Sequence, residues 1–265
     1  MLHLGINQVS NTLYHSDRNY LSSSVIKLLA KDVAEYHRQY ILGQKQPFTG
    51  NQGALDEGSF THSILLEPET VDTEYAIYPG KRRTGLEYQQ FAEKNSGKTI
   101  LLESQAERCL KLQEAFNKQP EYAQFISGGA AELSLCVELQ GVPVKTRFDY
   151  INVEKGFISD VKTTSYSGDV DSFQLVMENL DYGLSAALYL QAAELYYEKP
   201  FEFYFIVLSK KDLTANVYKL SQATRFKANR KISEALTKYK RCKESGIWTE
   251  EQGKKFEPNF EILEV

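Results

Sequence analysis

Asp160-Val161-Lys162 sets a carboxylate and an ammonium two residues apart. In a β-strand, residues two apart share a face. An acid there can hold a divalent cation, and the lysine can orient a water and offset charge on a phosphate. Two more acids lie upstream, on either side of Gln140-Gly141. If that dipeptide is a two-residue turn without a bulge, Glu132 falls opposite Asp149, Ser134 opposite Arg147 and Cys136 opposite Lys145. These six share one face, and Leu133, Leu135, Val137, Val144 and Phe148 form a core surface on the other. Carboxylates directly opposite each other repel unless something cationic lies between them. Asp149 and Asp160 are therefore expected to converge on one metal site, with Glu132 close by and the Val161 carbonyl as a further oxygen.

An all-oxygen ligand set suits Mg2+, with Mn2+ able to substitute, better than zinc or copper. The arrangement fits phosphodiester hydrolysis, in which the attacking water must lose a proton while negative charge builds on the phosphate. Lys162 could serve as the base only if its pKa were depressed. His62, late in a predicted helix, could ligate the metal or hydrogen-bond a metal-bound carboxylate; a structural histidine is the plainer reading.

Candidate phosphate contacts are Lys81, Arg82 and Arg83, which follow the Pro79-Gly80 turn, and Lys145 and Arg147 on the acidic face. Ser185 and Tyr189, four apart on a predicted helix, share a face. Tyr88 and Phe91 could stack on a frayed base or form the apolar stripe of a helix. A long terminal helix carries Lys227, Arg230, Lys231, Lys238, Lys240, Arg241 and Lys243. For each of these charges, a solvated surface is the alternative to a DNA contact.

The elements that must position these groups follow from periodicity. Ser22 to Ser24 cap a helix expected to run to about Tyr40, and a second helix spans Gly53 to Leu66. Ser104-Gln105-Ala106-Glu107 reads as a capping box starting a further helix. Ala131 to Leu139, Val142 to Tyr150 and Gly156 to Thr164 alternate as half-buried strands do. Helices near Ser172 to Asn179 and Tyr182 to Glu198, strands at Phe201 to Leu208 and Thr214 to Leu220, and a helix at Ala223 to Glu244 complete the chain. This order predicts an α/β fold with a central mixed sheet flanked by helices. We expect one domain over 1–265, helical over about 1–127, with the core sheet from about 130.

Composition agrees with a soluble globular chain: 42% hydrophobic, 25% charged and a net charge of −4. That balance does not itself point to nucleic acid. The three cysteines form no metal or disulfide spacing. Neither a leader nor a membrane span is expected, and a cytoplasmic location is.

Several segments, taken in order, resemble one family. They are Tyr14-His15-Ser16-Asp17 before the serine-led helix, Gly58-Ser59-Phe60-Thr61-His62 continued by Leu65-Leu66-Glu67-Pro68, and Gly129-Ala130-Ala131-Glu132. Lys145-Thr146-Arg147-Phe148-Asp149 and Ile158-Ser159-Asp160-Val161-Lys162-Thr163-Thr164 complete the set. Together they resemble the nuclease domain of RecE-like exonucleases (exodeoxyribonuclease VIII), phage and prophage members of the PD-(D/E)XK nuclease superfamily. The resemblance implies a restriction-endonuclease-like core, metal-dependent catalysis by Lys162, Asp160, Asp149, Glu132 and His62, and digestion of double-stranded DNA ends, 5′ to 3′. It also implies a single-strand annealing partner in recombination and a homo-oligomer such as a ring. The family's glutamine four residues before the helix tyrosine is Ser185 here. An endonuclease with the same chemistry, and a non-catalytic DNA-binding protein on the same scaffold, are the alternatives.

Overall fold

The computed structural model describes residues 1–45, 47 and 49–249. Its strands in chain order are β1 (Gly5–Asn7), β2 (Tyr75–Tyr78), β3 (Thr99–Leu102), β4 (Ala130–Leu139), β5 (Val142–Asn152), β6 (Phe157–Thr164), β7 (Glu202–Ser209) and β8 (Thr214–Lys219). Six of them form the main sheet in the order β1-β4-β5-β6-β7-β8, and β2 and β3 form a separate pair. Within the main sheet only β6 and β7 run parallel. A parallel pair needs a long crossover, which two of the helices supply.

The helices are α1 (Asn11–Ser16), α2 (Ser23–Lys31), α3 (Val33–Tyr36), α4 (Gln52–Leu66), α5 (Val71–Glu74), α6 (Leu86–Lys94), α7 (Glu103–Asn117), α8 (Val170–Asn179), α9 (Tyr182–Tyr197) and α10 (Gln222–Ser245). Helices α8 and α9 make the β6–β7 crossover. Helix α9 is apolar on every side, as a helix enclosed by its neighbours must be: Leu184, Ala187, Leu188, Leu190 and Ala193 are all buried. It lies against α2, α10 and the sheet, where Leu135, Val144, Phe148, Ile158 and Phe203 complete the main core. A second core under α7 joins Leu112 and Phe116 to Val161, Ile206 and Leu208. The mixed sheet flanked by helices is the architecture that the alternating segments predict.

The β4–β5 hairpin has the anticipated register, with Ser134 opposite Arg147 and Cys136 opposite Lys145. Gln140 (φ 52°) and Gly141 (φ 77°) are both left-handed, as a twisted two-residue turn requires. One position departs. Glu132 also has a positive φ of 51° and drops out of the ladder between Ala131–Tyr150 and Leu133–Phe148. Its side chain is therefore freed from strict strand alternation.

Other local expectations are corrected. The helix predicted from Ser22 to Tyr40 is broken at Asp32, whose backbone is extended and whose carboxylate accepts the Glu35 N–H at 2.8 Å. Aspartate competes with helix continuation in this way and caps the next turn instead. Ser104 is not a cap: α7 begins at Glu103, and Gln105 accepts the Leu102 N–H at 3.0 Å. Strands also occur among the first 127 residues, where β1 extends the main sheet and β2 pairs with β3. Among the described residues, no helix is long and apolar enough to cross a membrane.

Gly129 leads into β4 where the backbones come closest. A β-carbon there would lie 2.2 Å from the Ile151 carbonyl oxygen and 2.9 Å from the Asn152 α-carbon. Gly129→Ala should push β4 off β5 and lower stability by about 1–3 kcal/mol. Urea unfolding followed by circular dichroism measures this; an unchanged midpoint would contradict the close approach.

Candidate active site

The β5–β6 ladder runs through Asn152–Phe157, Ile151–Ile158 and Tyr150–Ser159, and then stops. In the gap beyond it, the Asp149 carboxylate takes the place of a backbone partner, with Oδ2 accepting the Val161 N–H at 2.8 Å. His62 approaches the same spot from α4. Its Nε2 lies 2.8 Å from the Val161 carbonyl oxygen and its Nδ1 3.3 Å from Asp149 Oδ2. A carbonyl only accepts, so Nε2 carries the hydrogen and donates it. The Nδ1 lone pair of the neutral ring then faces the acids. Burial and the Lys162 charge both hold the His62 pKa below its usual value, which keeps the ring neutral.

Helix α4 is held in place five residues before His62. Glu57 is buried and accepts from Gln105 and Arg108 of α7, each at 3.1 Å, and pairs with Lys210 at 3.3 Å. One carboxylate thereby ties α4 to α7 and to the end of β7.

Glu132, on its left-handed backbone, completes the group. Ligand atoms of His62, Glu132 and Asp149 lie within 4.8 Å of one another. Arg147 donates to Glu132 Oε2 at 2.6 Å and to the Val9 carbonyl at 3.2 Å, which anchors that acid. Burial, and then the neighbouring Asp149, raise the Glu132 pKa against the pull of Arg147. Asp149 is pushed up to about 7, first by burial and then by Asp160. Two crowded, poorly solvated carboxylates beside an imidazole lone pair have the chemistry of a cation seat.

Asp160 stands beside this trio, not within it. It is buried, and its Oδ2 is ion-paired with Lys162. The Lys162 ammonium also lies 3.3 Å from the Val161 carbonyl and 5.2 Å from the centre of the Tyr182 ring. Burial alone would disfavour its charge, but Asp160 and Asp149 outweigh burial and raise its pKa. Lys162 is thus a fixed positive charge here, not a base. Nor are the converging donors all oxygen, since His62 adds an imidazole nitrogen, while the Val161 carbonyl accepts from His62 and Asp160 is paired with Lys162.

The candidate DNA contacts separate into exposed and occupied groups. Lys81 and Arg82 are exposed, and Ser185 is half-buried. Lys145 is not available to a phosphate. It is buried, and its ammonium donates to the Tyr14 and Asp17 carbonyls under the N-terminal segment, where Leu2 and Tyr14 cover Cys136. Arg83 is spent within the fold on Gln105 at 3.0 Å, the Ile100 carbonyl at 2.8 Å and Asp56 at 3.3 Å. Arg147 is committed to Glu132. Tyr189 packs edge-on to Phe148 in the main core, and Tyr88 and Phe91 pack on Tyr78 as an apolar stripe. Sequence reasoning missed Glu67 and Glu74, which line a cavity of about 340 Å³ with His62, Glu132 and Arg147. Burial and then Glu132 raise the Glu67 pKa. Glu67-Pro68 after the histidine helix was the available signal. Tyr182 was also missed as the ring beneath the Lys162 ammonium.

The elevated Asp149 pKa fixes a pH dependence. The unfolded carboxyl ionises near 4. Between that point and about 7 the folded chain holds a proton that the unfolded chain releases, so stability falls as pH rises through this window and is level above it. The amide introduced by Asp149→Asn does not ionise. In chelator at pH 8, this variant should be more stable than the parent chain and melt at a higher temperature. The two should converge at pH 4, and a lower melting point for the variant at pH 8 would contradict a penalised carboxylate.

Comparison with known proteins adds the family. A search of the curated proteins returns no match. A crystal structure named "Putative exonuclease", from Eubacterium rectale, superimposes with a TM-score of 0.66 at 14% identity, covering 91% of this chain and 88% of that one. At that identity the likeness shows the fold alone. The structure of SSO0001 (TM-score 0.39, 12% identity, 83% and 80% covered) and a phage related exonuclease from Haemophilus somnus 129PT (0.36, 11%, 89% and 100%) are too dissimilar to carry an argument. The family model described as "PDDEXK-like domain of unknown function (DUF3799)" matches residues 22–255, most of the chain. With β4, β5 and β6 bearing acids at the point where the sheet parts, this protein belongs to that PDDEXK-like family.

Proposed function

We propose that this chain is a divalent-metal-dependent deoxyribonuclease that digests linear duplex DNA from its ends. The observation that carries the reading is the His62 ring. Its Nε2–H is bound to the Val161 carbonyl, so its lone pair is aimed at the same point as Glu132 and Asp149. Metal-binding histidines are oriented in this way by a backbone acceptor on the far nitrogen. A cation held by His62, Glu132 and Asp149 would lower the pKa of a water and neutralise charge on the phosphate.

The chain's own residues do the rest. Asp160 holds the Lys162 ammonium beside the seat, where it can donate to a phosphate oxygen and oppose the charge that builds during hydrolysis. Arg147 keeps Glu132 in place and limits its protonation. The low His62 pKa keeps its lone pair open to a cation at neutral pH. A seat with one nitrogen and two carboxylates binds Mn2+ more tightly than Mg2+, which refines the expectation of magnesium. Attack from DNA ends, the 5′-to-3′ direction, 3′ single strands for an annealing partner and assembly into a homo-oligomer are supported by the RecE-like motifs in the sequence. The exonuclease name of the Eubacterium rectale structure is in keeping with them.

End-labelled linear duplex, incubated with metal and with excess chelator, tests the reading directly. Release of labelled nucleotide is expected with metal only, and covalently closed circles should stay intact; cutting of circles would make the enzyme an endonuclease. Lys162→Ala should reduce hydrolysis by about 10²- to 10³-fold with a cooperative melting transition retained. Full activity in that folded variant would falsify the role of Lys162. Titration calorimetry should find tighter binding of Mn2+ than of Mg2+, and His62→Ala should weaken Mn2+ binding by at least about tenfold. Unchanged Mn2+ affinity in His62→Ala would remove the imidazole from the seat.

A further inference from the structure

A second cavity, of about 640 Å³, lies between α2, the turn joining α8 to α9, and α10. Four lysines line it: Lys27 and Lys31 from α2, and Lys231 and Lys238 from α10. Three acids are also present, two of them ion-paired. Asp181 pairs with Lys231 at 3.3 Å, Glu234 with Arg230 at 3.0 Å, and Glu178 accepts from Gln174 at 3.1 Å. Lys27, Lys31 and Lys238 therefore present ammonium groups with no carboxylate within ion-pair distance among the described residues. The Lys27 ammonium is bonded only to the Leu180 carbonyl, at 2.8 Å, and stands 5.4 Å from the centre of the Tyr182 ring.

That ring links the cavity to the site. The Lys162 ammonium stands 5.2 Å from the same ring centre. One ring therefore has an ammonium of the site, Lys162, and an ammonium of the cavity, Lys27, beside it. Three ammonium groups without carboxylate partners, lining one cavity, suit a polyanion such as a sugar–phosphate backbone. An acidic peptide would satisfy the charges but would give no reason for the cavity to meet the ring that Lys162 also approaches.

We propose that this groove holds the sugar–phosphate backbone of a single DNA strand, with Lys27, Lys31 and Lys238 on its phosphates and Tyr182 marking where it joins the site. This rests on the nuclease reading above. Burial already pushes the Lys27 pKa down to about 8, so an arriving phosphate would meet an ammonium that is incompletely compensated within the fold.

The test uses the full chain in chelator, which prevents cleavage, and a fluorescein-labelled single-stranded 12-mer read by anisotropy. Lys31→Glu with Lys238→Glu should raise the Kd by about 10- to 100-fold at low salt. The same pair should flatten the plot of log affinity against log salt by about one to one and a half, the contribution of two phosphate contacts on a single strand. Lys31→Gln with Lys238→Gln, which removes charge without reversing it, should give a smaller loss in the same direction. Lys111→Glu with Lys118→Glu, at a cavity between α7 and β8, is the control and should leave affinity unchanged. If the groove variants melt like the parent chain and keep its Kd and salt slope, the groove is overturned. It is likewise overturned if they lose affinity only for a blunt duplex, or if the parent chain cleaves linear duplex but binds no single strand. A parent chain that neither binds nor cleaves DNA overturns the nuclease reading itself, and the groove with it.

Discussion

The two backbone groups of Val161 govern the site. Where β5 leaves β6, strand pairing no longer supplies partners on that side. Asp149 takes the N–H and His62 donates to the carbonyl. Buried backbone groups without partners are costly, so these contacts are required by the fold as well as by chemistry. They set the position of one acid and the tautomer of one imidazole together. Glu132, Lys162 and Arg147 are then placed around a point that the sheet has already defined.

Electrostatics explain why that point resembles a site awaiting charge. The pKa values of Asp149, Glu132 and Glu67 are all raised, mainly by burial and then by a neighbouring carboxylate, which is Asp160 for Asp149, Asp149 for Glu132 and Glu132 for Glu67. Arg147 and Lys162 offset this incompletely. Structural ion pairs usually settle into mutual compensation, as Glu57 does with Arg108 and Lys210. Helix α4 contributes to both clusters, through Glu57 and His62, and shows the difference between fixing an element and serving a ligand.

Much of this was legible in the sequence, for identifiable reasons. The hairpin could be read because Gln140-Gly141 admits left-handed backbone at both positions, and its register then followed. Strands β4 to β6 alternate, β7 and β8 stand out as short strand-like runs, and α9 and α10 stand out by their length. Strands β1 and β3, with three and four residues, are too short to show a period. The break at Asp32 lies in a side-chain hydrogen bond that outweighs helix propensity. The occupied state of Lys145 and Arg83 was hidden because both depend on segments distant in sequence that cover or grip them. For the site, residue types were legible but ligand geometry was not. The left-handed turn at Glu132 and the parting of β5 from β6 decide which atoms converge, and neither leaves a local pattern.

The parallel β6–β7 pair also bears on how the site comes into being. The strand bearing Asp160 and Lys162 pairs along its length with β7, on the far side of the α8–α9 crossover. Such non-local pairing has an entropic cost that precedes its reward, and it tends to arrive late in folding. His62, Glu132, Asp149 and Lys162 each come from a different element, so no short fragment of the chain contains the set. A nascent or partly unfolded molecule would therefore lack the assembled seat, and any cutting power would be confined to the finished protein.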